Sequence, residues 1–324
     1  RMIFNDPSST PEQTAQALER LTKAAEAGQD CAQYALGKIY RDGQGVEKDI
    51  QKAVALFTLA ATKENSFAAF ALGKLYLAGD AALPRDPAAA LKWLTYAAEL
   101  GNQFAQYRLG KLLLKGDDGI PKDVITAIRW LTAAAKQENG YAEYALALVY
   151  LTGEDAPKDS VKALSLLKRS AGRGNQFAQY RLGKLLLQGE DAPKDVKAAI
   201  RWLTAAAEQG NQYAQYALGK LYLLGKEVPK DRSSAIKWFQ LAADQGNEYA
   251  QYFLKHMDDR LGQPPVAAVI SLFHHLANIF QEQNQPPPSG GVRVAVDRKL
   301  LRKIKAKKIA QGHKADDHEP EMQL

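Results

Sequence analysis

A fourteen-residue stretch occurs twice in this chain without a change: GNQFAQYRLGKLLL fills both Gly101–Leu114 and Gly174–Leu187. The offset of 73 residues is two copies of a shorter period, because a leucine followed by a small residue recurs every 36 or 37 residues. The recurring pairs are Leu36-Gly37, Leu72-Gly73, Leu109-Gly110, Leu146-Ala147, Leu182-Gly183 and Leu218-Gly219. A period of about 20–50 residues is typical of solenoids, in which each unit packs mainly on its neighbours.

Each unit is predicted to contain two helices, here called helix A and helix B. In the clearest copy, helix A covers about Tyr213–Leu224, with apolar residues at three-to-four spacing. A glycine ends it, and a basic residue followed by Asp precedes helix B, because an Asp side chain can cap a helix N-terminus. Helix B covers about Ala198–Glu208 in the copy before, with Trp202 on its buried side. Six such pairs follow a leading helix at about Pro11–Ala27, so the sequence predicts an all-α solenoid.

The repeat also resembles a known family. The pattern A-x-x-x-L-G-x-x-Y-x-x-G, then K-D-x-x-x-A-x-x-W-x-x-x-A-A-x-x-G, is met almost in full by Ala214–Gly225 and Lys230–Gly246. It resembles the Sel-one-like repeat, a relative of the tetratricopeptide repeat, over Pro11–Lys255. The resemblance implies a right-handed α/α superhelix whose helices A line a concave face, and a scaffold without catalytic residues. Repeat four departs from the pattern in its packing residues, with Ala147 for Gly and Leu166 for Trp.

The positive charge is concentrated in one short segment. The formal net charge of the chain is +7, and Arg293–Lys308, with eight basic residues against Asp297, accounts for all of it. The repeats are therefore not predicted to be a general basic surface, and any nucleic-acid contact falls on this segment. The alternatives are a solvated tail, an acidic protein or an acidic membrane. The candidate nucleic-acid-binding residues are Arg298, Lys299, Arg302, Lys303, Lys305, Lys307 and Lys308.

Three regions are expected along the chain: repeats over residues 1–262, a capping helix over 263–284, and a Pro/Gly linker with a basic tail over 285–324. The capping helix has apolar residues on one face, suited to covering the last repeat or docking to a partner helix. The tail, Arg298–Glu319, is similar to the C-terminal segment of some Gram-positive mobilisation relaxases. That similarity implies a DNA-processing protein whose nicking domain lies upstream. The start at Arg1 predicts that the chain is a fragment of a longer protein.

No enzymatic motif is found in the sequence. It contains no GxxxxGK[ST], GxSxG, HExxH or CxxC, and the Lys-Asp carboxylates recur one repeat apart, too far for a catalytic pair. We therefore expect no enzyme activity, no cofactor and no metal; His313 and His318 are interpreted as polar surface. The one cysteine, Cys31, excludes an intramolecular disulfide, favours a cytoplasmic setting and is expected to fill space in the core or the groove.

Partner-binding residues are expected on helix A, where a protein or an extended peptide could lie in the groove. Arg108 and Arg181 share one register, and their guanidinium groups could pair with carboxylates of an acidic peptide or stay solvated. A second register holds aromatic residues: Tyr40, Tyr76, Tyr150 and Tyr222. A third register includes Gln106 and Gln179, whose amides could bind a peptide backbone or bridge neighbouring helices.

Overall fold

The structure, a computed structural model, describes residues 10–116 and 119–257. Apart from one isolated bridge between Asp80 and Leu83, the regular structure of these residues is helical. The fourteen helices are α1 (Pro11–Glu26), α2 (Asp30–Asp42), α3 (Ile50–Ala61), α4 (Ser66–Ala78), α5 (Pro87–Glu99), α6 (Gln103–Lys115), α7 (Val124–Lys136), α8 (Gly140–Thr152), α9 (Ser160–Gly172), α10 (Gln176–Gln188), α11 (Val196–Glu208), α12 (Gln212–Leu224), α13 (Arg232–Asp244) and α14 (Glu248–Met257).

These helices confirm the predicted solenoid of six helix pairs. Helices A are α2, α4, α6, α8, α10 and α12, and each packs most extensively on the helix B that follows it. Helix α1 is the expected leading helix, and each helix B also contacts the next helix A. Helix α14 is a seventh helix A that the sequence analysis did not count. The predicted capping helix, linker and basic tail lie outside the described residues.

The turn from helix A to helix B begins with a glycine of positive φ, between 63° and 75°, in all six repeats. Four of these glycines are in the left-handed helical conformation, which costs an L side chain about 1–2 kcal/mol, whereas Gly79 and Gly116 have ψ of 164° and 138°. The following Asp caps helix B: Asp195, for example, accepts a hydrogen bond from the Ala198 N–H at 2.9 Å. The same contact from Thr126 lowers the pKa of the Asp123 carboxyl. Both predicted roles are confirmed.

In four repeats, the lysine before the capping Asp pairs with a carboxylate of the next repeat. Lys48 Nζ lies 2.7 Å from an Asp80 carboxylate oxygen, and Lys158 Nζ lies 2.8 Å from Asp191. Lys122 and Lys194 make equivalent pairs, with Asp155 and Glu227. The lysines are about half exposed, so each pair is worth about 1 kcal/mol or less. Their regular spacing keeps consecutive A–B turns in one register.

The turn from helix B to the next helix A also needs a left-handed residue. Gly101, with φ of 83°, donates its N–H to the Ala98 carbonyl at 3.1 Å, and Asn102 donates to Ala97 at 3.0 Å. Glycine fills this position in five turns, as predicted. Two turns hold a glutamate instead, Glu64 at φ 62° and Glu138 at φ 65°. These two turns therefore store backbone strain that glycine would remove.

Close approach of the two helices explains the glycine inside helix A. A β-carbon at Gly110 would lie 2.6 Å from Leu131 Cγ and 3.1 Å from the Ala127 carbonyl oxygen. Gly73 and Gly183 stand in the same relation to leucines on helix B, and Gly37 and Gly219 to phenylalanines. The fully buried partners are Phe57, Leu94, Leu131, Leu203 and Phe239. This close approach agrees with the prediction from the sequence, but the prediction that Trp202 is on the buried side is wrong: Trp202 is half-buried, and Leu203 beside it is the core residue.

We expect Gly110→Ala to lower the free energy of unfolding by about 1–3 kcal/mol, because the added methyl group forces Leu131 off its position. Gly172→Ala on α9 is the control: no heavy atom lies within 4 Å of its β-carbon position, so the helix propensity of Ala adds up to about 1 kcal/mol. Urea unfolding followed by circular dichroism at 222 nm measures both. Equal midpoints for Gly110→Ala and the parent chain would contradict the close approach.

Candidate functional site

A column of aromatic side chains, built from six contacting pairs, runs along the helices A. Each contact joins a ring on one helix A to a ring near the start of the next, at centroid distances of 6.0–6.4 Å. The contacting pairs are Tyr34–Phe67, Phe70–Phe104, Tyr107–Tyr141, Tyr144–Phe177, Tyr180–Tyr213 and Tyr216–Tyr249. We call these twelve residues the aromatic ladder.

From α4 to α12, the two ladder rings on each helix A are three residues apart, and this spacing links one contacting pair to the next. Phe104 and Tyr107 on α6, or Phe177 and Tyr180 on α10, therefore lie on one side of their helix, about 5–6 Å apart at Cβ. Most ladder rings are half-buried, and Phe67 and Tyr213 are 52% exposed. The sequence analysis missed the ladder, although its signal, an aromatic-x-x-aromatic spacing in every helix A from α4 to α14, is visible in the sequence.

Basic side chains lie beside the ladder. Lys38, Lys74 and Lys111 place Nζ 5.9–6.0 Å from the ring centroids of Tyr34, Phe70 and Tyr107, a cation–π distance. Arg108 is exposed and Arg181 half-buried, each directly after a ladder tyrosine. Among the described residues, no carboxylate pairs with either guanidinium.

Positive charge is crowded around Arg181. Its Nε is buried and has no hydrogen-bond partner in the described part of the chain. Desolvation lowers the pKa of the Lys184 amine one turn along α10, and the charge of Arg181 lowers it further. Burial raises the pKa of the Tyr180 hydroxyl, whereas Arg181 opposes that shift. An anionic group would be stabilised by this local field.

The predicted tyrosine register lies near the turn from helix A to helix B. The hydroxyl groups of Tyr40 and Tyr150 accept hydrogen bonds from Lys52 and Lys162 of the same repeat, at 2.7 and 2.8 Å. Tyr76 and Tyr222 are half-buried, and their backbone carbonyls accept the N–H groups of the capping Asp residues, Asp86 and Asp231. These hydrogen bonds are made within one repeat, and peptide binding by the four tyrosines stays a prediction.

The two predicted glutamines connect three helices. Gln106 Nε2 donates to the Ala98 carbonyl at 3.0 Å, and its Oε1 accepts from Gln137 Nε2 at 2.8 Å. Gln179 makes the same two contacts, with Ala171 and Gln209. Both glutamines are buried. The structure therefore shows the bridging alternative, and contact of these amides with a peptide backbone stays a prediction.

Repeat four replaces this bridge with an ion pair. Glu143 stands at the glutamine position and is fully buried, with its carboxylate 2.6 Å from Arg169 Nη2 and 3.4 Å from Arg173 Nε. The Glu143 carboxylate cannot donate a hydrogen bond to the preceding helix B, as a glutamine amide does. Arg169 donates that hydrogen bond instead, to the Ala135 carbonyl at 3.3 Å. The glutamate that replaces glutamine at position 143 is thus paired with Arg169 on α9 and with Arg173 at the end of α9.

Other features of the described residues do not converge on a reaction centre. Cys31 is exposed, so the core position considered for it is wrong; it occupies the ladder register on α2, with Sγ 3.7 Å from an Asp30 oxygen. No group of three or more His, Cys, Asp or Glu side chains in the described residues is placed to hold a metal ion. A mainly apolar depression of about 690 Å³ lies on α5, lined by Leu91, Trp93 and Tyr96. It is a second candidate surface, on helix B.

The repeats of this chain match the model of a known family. The Sel1 repeat family model matches six consecutive segments, and the chain belongs to this family. The matched segments are residues 32–65, 66–102, 103–139, 140–175, 176–211 and 212–247. Sel1 repeat proteins typically act as protein-interaction scaffolds.

Two solved structures resemble this chain over most of its length. A Sel1 repeat protein from Oxalobacter formigenes is 33% identical, with a TM-score of 0.69, over 79% of this chain and 73% of that protein. A protective antigen present in uropathogenic Escherichia coli strains, described as displaying an SLR fold, is 34% identical, with a TM-score of 0.68, over 81% of this chain. This chain spans 56% of the E. coli protein. No curated protein matches the chain.

One further property concerns membranes. Within the part of the chain that the structure describes, no helix combines the length and the apolar character that crossing a bilayer requires.

Removing Arg169 should lower stability, because the buried Glu143 carboxylate loses an ion-pair partner. We expect Arg169→Ala to lower the free energy of unfolding by about 2 kcal/mol, less than for a fully buried pair because Arg169 is half exposed and Arg173 remains. The double variant Glu143→Gln/Arg169→Ala should recover most of that loss, since Gln can donate to Ala135 as Gln179 does to Ala171. Urea unfolding of the two variants tests this. Equal stability of the single and double variants would contradict the idea that Arg169 replaces the hydrogen bond of a glutamine.

Proposed function

We propose that this chain is a non-enzymatic scaffold that binds a partner protein or an extended peptide along the groove formed by its helices A. The aromatic ladder is the observation that carries the proposal, because it places half-buried rings side by side through seven consecutive helices A. Solenoids use extended surfaces of this kind for binding. The single cysteine favours a cytoplasmic setting, and no cofactor is part of the proposal.

The chemistry of the ladder suits protein recognition. Tyrosine and phenylalanine supply large apolar contact areas with few rotatable bonds, and Tyr and Arg are enriched among the residues that dominate binding energy. Arg108 and Arg181 add charged groups at the edge of the ladder. Gln106 and Gln179 fix the position of helix A by hydrogen bonds to the helix B before it. Binding residues are thus presented by a rigid helical array.

The proposal is tested by selecting peptides from a display library on the full chain and measuring their affinity for two variants. Tyr107→Ala/Tyr180→Ala removes two ladder rings, and Trp93→Ala/Tyr96→Ala removes two rings from the depression on α5. We expect the ladder variant to weaken the selected peptides at least about tenfold, through lost stacking and apolar contact, and the control to leave them unchanged. Circular dichroism of both variants checks that the helices are retained.

The opposite pattern would contradict the proposal. If the selected peptides lose affinity for the α5 variant and keep it for the ladder variant, the binding surface lies on helix B. The scaffold assignment would then survive, but its site would move.

A second candidate rests on the sequence of the tail: a C-terminal module of a DNA-mobilisation relaxase, with Arg298, Lys299 and the basic residues that follow contacting DNA. Counterion release makes such binding salt-dependent. Fluorescence anisotropy with labelled DNA, on the full chain and on a chain ending at Gly291, tests it. We expect salt-sensitive binding by the full chain only; equal binding by the two chains, or none by either, would exclude DNA contact through the tail.

A further inference from the structure

The chain contains two copies of one cationic subsite. On α6, Tyr107, Arg108 and Lys111 follow Phe104 in the order of the unchanged fourteen-residue stretch. On α10, the same four residue types recur two repeats later, with Arg181 and Lys184 at the corresponding positions. In each copy the Arg and Lys are three residues apart, which places them on one side of the helix.

The repeat between the two copies offers no cation at these positions. Helix α8 carries Ala145 where the copies have Arg, and Leu148 where they have Lys. Its ladder rings, Tyr141 and Tyr144, continue the aromatic surface from Tyr107 to Phe177. The described surface along α6, α8 and α10 therefore alternates: cationic, aromatic and uncharged, then cationic again.

We propose that this face binds an extended peptide with two acidic clusters, one at Arg108 and Lys111 and the other at Arg181 and Lys184, separated by an uncharged segment that contacts α8. This inference rests on the scaffold proposed above and names the chemistry of its ligand. A guanidinium pairs with a carboxylate through two parallel hydrogen bonds. Desolvation and the charge of Arg181 both lower the pKa of the Lys184 amine, so a bound carboxylate would relieve the repulsion between these two cations.

The packing of the helices gives the spacing of the two clusters. The ladder contacts place α8 between α6 and α10. Axes of packed helices lie about 8–10 Å apart, so the two clusters, two repeats apart, are separated by roughly 20 Å. An extended chain advances about 3.3–3.6 Å per residue, and the acidic clusters should therefore lie about six residues apart.

Single-stranded nucleic acid is a weaker fit to this surface. Its phosphates carry charge at every nucleotide and favour a basic groove that follows the backbone continuously. Here the cations lie in two groups with an uncharged helix between them. The ladder rings are also packed against one another at 6.0–6.3 Å, which leaves little room for bases between them.

The test uses labelled synthetic peptides and the full chain, with fluorescence anisotropy as the readout. One peptide has two Asp-Glu pairs about six residues apart, and a second has the same composition with the pairs adjacent. We expect the spaced peptide to bind at least about tenfold more tightly, because both clusters engage at once. Arg108→Ala and Arg181→Ala should weaken it by similar factors, and the double variant should abolish the preference for spacing.

A matched control removes two arginines of helix B instead. Arg129 and Arg201 are exposed, occupy equivalent positions on α7 and α11, and also lie two repeats apart. Arg129→Ala/Arg201→Ala therefore changes the net charge equally and should leave the spacing preference intact. Equal loss in this control, equal affinity for the two peptides, or tighter binding of a single-stranded oligonucleotide than of the spaced peptide would overturn the proposal.

The outcome separates this inference from the scaffold proposal. If the acidic peptides show no spacing preference while library-selected peptides still depend on Tyr107 and Tyr180, the scaffold stands and its ligand is not acidic. If no selected peptide depends on the ladder either, both proposals fail.

Discussion

The contact between a glycine of helix A and a large apolar residue of helix B determines how each repeat is built. At Gly110 the space for a side chain is already filled by Leu131, so the two helices lie closer than two ordinary side chains would allow. The buried residue is Leu in most repeats and Phe in the first and last, where Phe57 and Phe239 fill the same place. Five of the six repeats use this contact, and repeat four has the next smallest residue, Ala147, at the glycine position. The helices A therefore present their outer residues in one register. The aromatic ladder is a consequence of that register.

Neighbouring repeats are held together by polar groups that satisfy one another. A buried amide such as Gln179 uses its N–H on the helix before it and its oxygen on the end of the helix after it. Repeat four shows that the requirement is chemical, because Glu143 cannot donate and an arginine supplies the missing hydrogen bond. An unpaired buried group would cost about 1–3 kcal/mol, so a change at one position requires a change at its partner. Coupling of this kind lets repeats differ in sequence while they keep one geometry.

Much of the fold could be predicted because its signals are local and periodic. Gly189, Pro193 and Asp195 specify the end of one helix and the start of the next through backbone conformation and capping alone. The face of helix B was harder: Trp202 is larger and more conspicuous than Leu203, and only the packing shows which of them is buried. The ladder was missed for a related reason. Tyr107 contacts Tyr141 of the next repeat, and the spacing within one helix does not show which neighbour a side chain meets.

We propose that the helices A, through their aromatic ladder, form the binding surface of this Sel1 repeat protein. Hydroxyl-radical footprinting with mass spectrometry tests it directly, because oxidation of an aromatic side chain reports its exposure. With a selected peptide bound, we predict lower oxidation of Tyr107, Tyr144 and Tyr180, and unchanged oxidation of Trp93 and Tyr96 on α5. Protection of the α5 residues with no change along the ladder would contradict the claim.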